Sequence, residues 1–159
     1  DASIIDYLYL DRLRSDAPTP GTGHLRRYRL PLAGGTATST RQSDERLELP
    51  RIHEGRATGR PYQYVYGVGT QNVGDFTDQI VKLEVETGAA ATWQEAGTYH
   101  PDGTDEDAGV LLSVVLDPTT EQSFLLVLDA ASLEERARAP VPHAIPFGFH
   151  GQFFGGAGA

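Results

Sequence analysis

Short apolar segments separated by turn residues are the feature that most restricts how this chain folds. Each segment has four to eight residues, is rich in Val, Ile, Leu, Tyr and Phe, and is bounded by Gly, Pro, Asp or Thr. The one stretch of helical composition, residues 130–138, follows Asp129 and is predicted as a turn into another strand. The sequence therefore predicts an all-β fold, with strands at residues 4–10, 25–32, 46–49, 62–68, 79–85, 91–95, 110–116, 123–128, 136–141 and 147–153.

A strand that runs into a turn and then a second strand recurs three times. The strands at 25–32, 79–85 and 123–128 lead into turns at 34–35, 86–88 and 129–131. Equivalent positions lie 55 and 43 residues apart, and roughly 40–50 residues is the size of one four-stranded propeller blade. Three such units form an open arc, because closed propellers need about four to eight blades. The pattern thus predicts about three blades of a larger β-propeller, with a β-sandwich as the alternative.

Charge and composition exclude several classes of protein. The formal net charge is −9, which argues against a nucleic-acid partner because phosphates require clustered positive charge. The chain has no cysteine, so disulfides and thiolate metal sites are excluded. No apolar run approaches the roughly 18 residues of a transmembrane segment, and the acidic N-terminus is not a signal peptide. With no methionine anywhere, we expect the sequence to begin inside a longer product.

The basic residues are almost all arginine, with Lys82 as the one lysine among 13 basic residues. Acid-rich, lysine-poor surfaces stay hydrated in concentrated salt, so a salt-loving source is one interpretation. A GC-rich genome is the alternative. The acidic run at 105–107 is predicted as a solvated turn, with an oxygen-ligand cation site as the less favoured interpretation.

His150 has a distinctive context among the five histidines. The segment 146–151, PFGFHG, places its imidazole beside Phe147 and Phe149 and between glycines that allow close backbone approach. This suits either a buried metal ligand or a packed core histidine. Glu48 lies between Leu47 and Leu49, and alternation predicts both leucines inward and the glutamate outward. That glutamate is either solvated or a hydrogen-bond acceptor for a metal-bound imidazole.

Four segments resemble the carotenoid cleavage oxygenases, a family that includes bacterial apocarotenoid oxygenases and the vertebrate retinoid isomerase. They occur in the family's order and spacing, over roughly residues 4–153: 48–52 (ELPRI), 60–67 (RPYQYVYG), 106–115 (EDAGVLLSVV) and 141–151 (VPHAIPFGFHG). The resemblance implies a seven-bladed β-propeller, of which this chain is the C-terminal third or so. It also implies ferrous iron, Fe²⁺, held on the propeller axis by four histidines.

The resemblance further assigns residues and chemistry. It makes His150 the fourth iron ligand and Glu48 the acceptor for an iron-bound imidazole, and we expect Phe147 and Phe149 to line the substrate site. The other three ligands lie upstream in the family, and His24, His53, His100 and His143 do not occupy ligand positions. The implied reaction uses O₂ to cleave a carotenoid or apocarotenoid double bond into carbonyl products. Formation of retinal is a further expectation.

The sequence departs from the family pattern at two places. Ala108 replaces an acid of the EDDG element, which we interpret as a detail of the turn, and the family's PSEPIFVPRP-like segment, which carries another glutamate of the iron site, has no counterpart before Asp105. Because that glutamate and the three upstream ligands are missing from this chain, the alternative is a non-catalytic β-domain or degenerate fragment without a complete iron site. We expect residues 1–154 to form the propeller blades and residues 155–159 a flexible Gly/Ala tail. The expected location is cytoplasmic, with any membrane association arising from parts outside this chain.

Overall fold

The structure, a computed structural model, describes residues 23–72, 77–94 and 106–146, and the backbone of 98–102. Within these ranges the prediction of an all-β fold is confirmed. The predicted strands at 4–10 and 147–153 lie outside the described residues. One short helix, α1 (Glu54–Ala57), accompanies the strands β1 (His24–Arg29), β2 (Thr38–Arg46), β3 (Glu48–Arg51), β4 (Tyr64–Gly69), β5 (Gln79–Glu84), β6 (Ala90–Gln94), β7 (Thr98–Asp102), β8 (Val110–Asp117), β9 (Gln122–Asp129) and β10 (Glu135–Pro140).

The strands form a hairpin and two four-stranded antiparallel sheets. The hairpin is β1-β2, the first sheet has the order β3-β4-β5-β6, and the second has the order β10-β9-β8-β7. Each sheet is a meander in which consecutive strands pair. The three predicted strand–turn–strand units are the hairpins β1-β2, β5-β6 and β9-β10. The prediction that residues 130–138 turn into another strand is also confirmed, with the turn at 130–134 and β10 beginning at Glu135.

Three predicted boundaries are wrong for identifiable reasons. Strand β1 ends at Arg29, before Pro31, and Leu30 and Leu32 are exposed, because proline has no N–H for a sheet ladder. Composition predicts a loop at residues 34–40, but its last residues belong to β2, whose sequence TSTRQSDER has no apolar residue to mark it. Composition also predicts a loop at residues 101–108, but its first two residues belong to β7.

The core has two parts, one on each face of the first sheet. Residues of β4 and β5 pack against β8 and β9 of the second sheet in one cluster, whose members include Tyr66, Ile80, Leu111, Val115 and Leu126. On the opposite face, Leu25 of β1 packs with Leu47, Val65, Val81 and Leu83. The first sheet is therefore covered on both faces, which explains why five of the six residues of β5 are buried.

Candidate functional site

Glu48 is the first residue of β3, an edge strand of the first sheet. It pairs with Val68 of β4, and its side chain is partly buried. The preceding Leu47 is fully buried in the smaller core cluster. The burial of Leu47 anchors the start of β3, so the position of the Glu48 carboxylate depends on how β3 packs on β4.

The prediction that Leu49 points inward is wrong. Leu49 is 44 % exposed and has a positive φ of 47°. The pairing between β3 and β4 shifts between Glu48 and Arg51, as at a β-bulge. A bulge breaks the alternation of side chains along a strand and re-aims them. Glu48 therefore lies next to a kink that the leucine pattern alone does not reveal.

Gly67 of β4 permits the close approach of β3. A Cβ at this position would lie 2.6 Å from the carbonyl oxygen of Glu48 and 2.7 Å from Cγ of Leu47. Gly69 is similarly crowded, with the carbonyl oxygen of Arg46 at 2.7 Å. The glycines of the segment YVYGVG thus set the distance between the strand that carries Glu48 and the rest of the sheet.

The predicted ligand His150 and the predicted substrate-lining residues Phe147 and Phe149 lie outside the described residues. The chain leading to them is described as far as Pro146 and is fastened to Ser123 of β9. The backbone N–H of Val141 donates a hydrogen bond to the carbonyl oxygen of Ser123 (2.8 Å). The backbone N–H of Ser123 in turn donates to the carbonyl oxygen of His143 (3.1 Å). The buried hydroxyl oxygen of Ser123 accepts from the N–H of Ile145 (2.9 Å). The second sheet therefore anchors the chain up to Ile145, five residues before His150 in the sequence.

Three histidines have described side chains, namely His24, His53 and His143. Nδ1 of His24 lies 3.0 Å from the carbonyl oxygen of Glu45, and its ring also contacts the guanidinium of Arg41. His53 precedes α1, and the side chain of His143 is exposed. Across the three ranges with described side chains, no group of three or more His, Cys, Asp or Glu could hold a metal ion.

The motif segments 60–67 and 106–115 meet between the two sheets. Oε1 of Glu106 accepts hydrogen bonds from the backbone N–H of Gln63 and of Tyr64, the latter at 2.6 Å. Nζ of Lys82 lies 3.1 Å from Oδ2 of Asp107. The prediction of a solvated acidic turn is therefore wrong for Glu106 and Asp107, because both carboxylates are partly buried and bind groups of the first sheet.

Two tyrosines of β4 complete this cluster. Nζ of Lys82 lies 4.2 Å from the ring centre of Tyr64 and 5.9 Å from that of Tyr66. Burial, reinforced by the negative charge of Asp107, raises the pKa of both tyrosines, so both phenols stay protonated near neutral pH. By composition, Lys82 stands out only as the one lysine of the chain. Its place in the apolar run QIVKLE was the signal that it is a buried charge.

The fold and these segments define an all-β protein built from stacked antiparallel sheets. The family model described as retinal pigment epithelial membrane protein (RPE65) matches residues 1–155, and the chain belongs to this family. The resemblance predicted from the four motifs is confirmed.

Named relatives support the same assignment. The chain is 40 % identical over 116 residues to a mitochondrial carotenoid-cleaving dioxygenase of Mustela putorius furo, covering 67 % of this chain and 21 % of the relative. It is 34 % identical over 170 residues to the chloroplastic carotenoid cleavage dioxygenase 8 homolog A of Oryza sativa subsp. japonica, covering 95 % of this chain and 30 % of the relative.

Solved structures show the same fold. The chain matches cobalt-substituted Synechocystis apocarotenoid oxygenase with a TM-score of 0.72 and 26 % identity, over 82 % of this chain and 30 % of that one. An ACO/RPE65 chimera matches with a TM-score of 0.69 and 27 % identity, over 79 % and 29 %. The chain thus spans less than a third of the length of these proteins. In the described part of the chain, no helix has the length and apolar character needed to cross a membrane.

Proposed function

We propose that this chain is the C-terminal part of an Fe²⁺-dependent dioxygenase that cleaves a double bond of a carotenoid or apocarotenoid to carbonyl products. The observation that carries the proposal is the match over 95 % of the chain to a carotenoid cleavage dioxygenase. Substrate and O₂ are the partners that this chemistry requires, and retinal is one candidate product. Analysis of the cleavage products identifies which double bond of the substrate is broken.

The proposed architecture is a seven-bladed β-propeller completed by upstream blades of the same protein. Two four-stranded meanders and an additional hairpin, stacked face against face, support it. The first sheet is covered on both faces, as an interior blade must be. Residues 1–154 would form the C-terminal blades, and 155–159 the tail. A cytoplasmic location stays a prediction, since the relatives are named as mitochondrial and chloroplastic forms.

The proposed site roles divide between the two sheets. Glu48 on the first sheet would accept the N–H of a metal-bound imidazole and so fix the tautomer and direction of that ring. His150, reached from the second sheet, would be an iron ligand, and Phe147 and Phe149 would exclude water beside the substrate. Bound ferrous iron would supply open coordination positions for oxygen chemistry. Support for the first role is the partly buried position of Glu48 on an edge strand.

A non-catalytic β-domain is the second candidate. It is favoured by the missing counterpart of the family's glutamate-bearing segment before Asp105. The two candidates differ in what the full-length protein does with substrate, because a protein without a complete iron site cleaves nothing.

The test is to incubate the full-length protein with a panel of carotenoids and apocarotenoids under air and to identify products by chromatography and mass spectrometry. Two carbonyl fragments whose carbon numbers add up to the substrate support the dioxygenase. Glu48→Gln should lower activity on the order of 10–100-fold, while Glu86→Gln, at an exposed turn residue, serves as the matched control. If the wild-type protein cleaves no compound of the panel in the presence of iron, the dioxygenase proposal is wrong and the non-catalytic alternative is supported.

A further inference from the structure

Lys82 places a positive charge inside the contact between the two four-stranded sheets. Its side chain is 9 % exposed and lies on the central strand pair of the first sheet, opposite Tyr66 in β4 and Ala91 in β6. Desolvating an ammonium group costs several kcal/mol unless partners replace the lost water. A buried lysine at this position therefore requires hydrogen-bond acceptors or negative charges close to its ammonium group.

The partners of Lys82 belong to the second sheet and its loops. Nζ donates to Oδ2 of Asp107 at 3.1 Å, just before β8, and to the carbonyl oxygen of Ala131 at 2.9 Å, in the turn after β9. The face of Tyr64 covers the ammonium from its own sheet. Charge-assisted hydrogen bonds and a cation–π contact together replace hydration.

Neighbouring contacts cross between the sheets in the same region. The hydroxyl of Tyr66 donates to the carbonyl oxygen of Ala130 at 3.3 Å, and Glu106 accepts from the backbone of Tyr64. A buried apolar cluster also joins the two sheets. Apolar packing is non-directional, so these polar contacts help to distinguish one orientation of the sheets from a shifted one.

We propose that Lys82 is a positioning residue that fixes the orientation of the sheet β3–β6 relative to the sheet β7–β10, through Asp107 and the carbonyl of Ala131. Its catalytic consequence rests on the proposed function. Glu48 is carried by the first sheet, whereas the chain toward His150 leaves from Ser123 of the second. Lys82 therefore sets the position of the sheet that carries Glu48 relative to the sheet to which residues 141–145 are bonded.

The direct test measures the distance between the sheets in the full-length protein. The chain has no cysteine, so spin labels at Gln94→Cys in β6 and Ala137→Cys in β10, both exposed, report one distance once any cysteines outside this chain are replaced. We expect a narrow distribution for the wild-type background and a broadened or shifted one for Lys82→Met. A folded Lys82→Met variant with the wild-type distribution would overturn the proposal.

Two further variants separate positioning from simple loss of stability. Asp107→Asn removes the same ion pair. If Lys82→Met does not fold, the distance between the two spin labels is measured in the Asp107→Asn variant instead. Because the two residues act as a unit, the double variant should disturb the distance no more than Lys82→Met alone. Additive effects of the two changes would contradict the pairing.

The catalytic consequence has its own readout. Small misplacements of reacting groups lower rates steeply, so kcat/KM of folded Lys82→Met should fall by about tenfold or more, mainly through kcat. Unchanged kinetics together with a changed distance would refute the catalytic consequence. A wild-type protein that cleaves no carotenoid would refute the proposed function instead, and the distance measurement would still decide the role of Lys82.

Discussion

Gly67→Ala is the substitution that most directly perturbs the strand carrying Glu48. The added methyl group would lie 2.6 Å from the carbonyl oxygen of Glu48 and 2.7 and 2.8 Å from two side-chain carbons of Leu47. The first contact is 0.8 Å short of the 3.4 Å at which ordinary contact begins. The oxygen is part of the backbone, and Leu47 is fully buried, so neither neighbour has a free direction in which to rotate. Strand β3 must move away from β4.

The expected cost follows from inserting one methyl group into a packed site. Such overpacking costs about 1–3 kcal/mol in the free energy of unfolding. Because the displaced carbonyl belongs to Glu48 itself, activity should fall together with stability.

Thermal unfolding of the full-length protein, with cleavage activity measured at a temperature where all variants are folded, provides the assay. Gly55→Ala is the matched control, since its nearest contact would be an ordinary 3.6 Å to the His53 ring and the residue lies in α1. Helix propensity favours alanine there by up to about 1 kcal/mol. A Gly67→Ala protein as stable and as active as the Gly55→Ala control would refute the close-approach argument.

Three further predictions concern stability. Tyr66→Phe removes the donor to the Ala130 carbonyl and should cost about 0.5–1.5 kcal/mol in urea unfolding; an unchanged midpoint would show that this bond contributes nothing. A hydrogen bond from the backbone N–H of Ser132 is the main cause that lowers the pKa of Asp129 from its ordinary 3.8, and a hydrogen bond from the Arg136 guanidinium lowers it further. Because the folded pKa lies below the unfolded one, this stabilisation is complete above about pH 4 and is lost as the pH falls further; melting curves of Asp129→Asn should therefore depend less on pH in this range, and an equal dependence would contradict the assignment. Since the net charge is −9, added KCl should raise the melting temperature by screening repulsion, and a flat or falling melting temperature would remove the argument for a salt-adapted source.

The all-β fold was predictable because most strands carry enough apolar residues to mark them. Strand β5, with the sequence QIVKLE, is marked because both of its faces are covered. Strand β2 was missed because its nine residues include none that are apolar and it is largely exposed. Hairpin β1-β2 shows that an exposed strand can form through backbone pairing and polar side-chain contacts, which leave no hydrophobic pattern to detect.

The candidate site was predictable only in part. Alternation failed at Leu49 because a bulge follows Glu48. The close approach of β3 and β4 depends on Gly67, which has no side chain to form a recognisable pattern. The contact of Lys82 with Asp107 joins residues 25 positions apart, which no local pattern encodes. His150 was assigned from its motif, and its role stays a prediction.

The proposal that most needs a direct test is that this chain supplies an iron ligand at His150. The most direct measurement is the iron content of the purified full-length protein carrying His150→Ala, with His143→Ala as the control. His143 lies seven residues upstream with an exposed side chain and takes part in the fastening to Ser123 through its carbonyl oxygen, so its substitution should leave iron unchanged. We expect His150→Ala to lose most of its iron and its carotenoid cleavage while keeping its fold by circular dichroism. Wild-type iron occupancy in His150→Ala would contradict it.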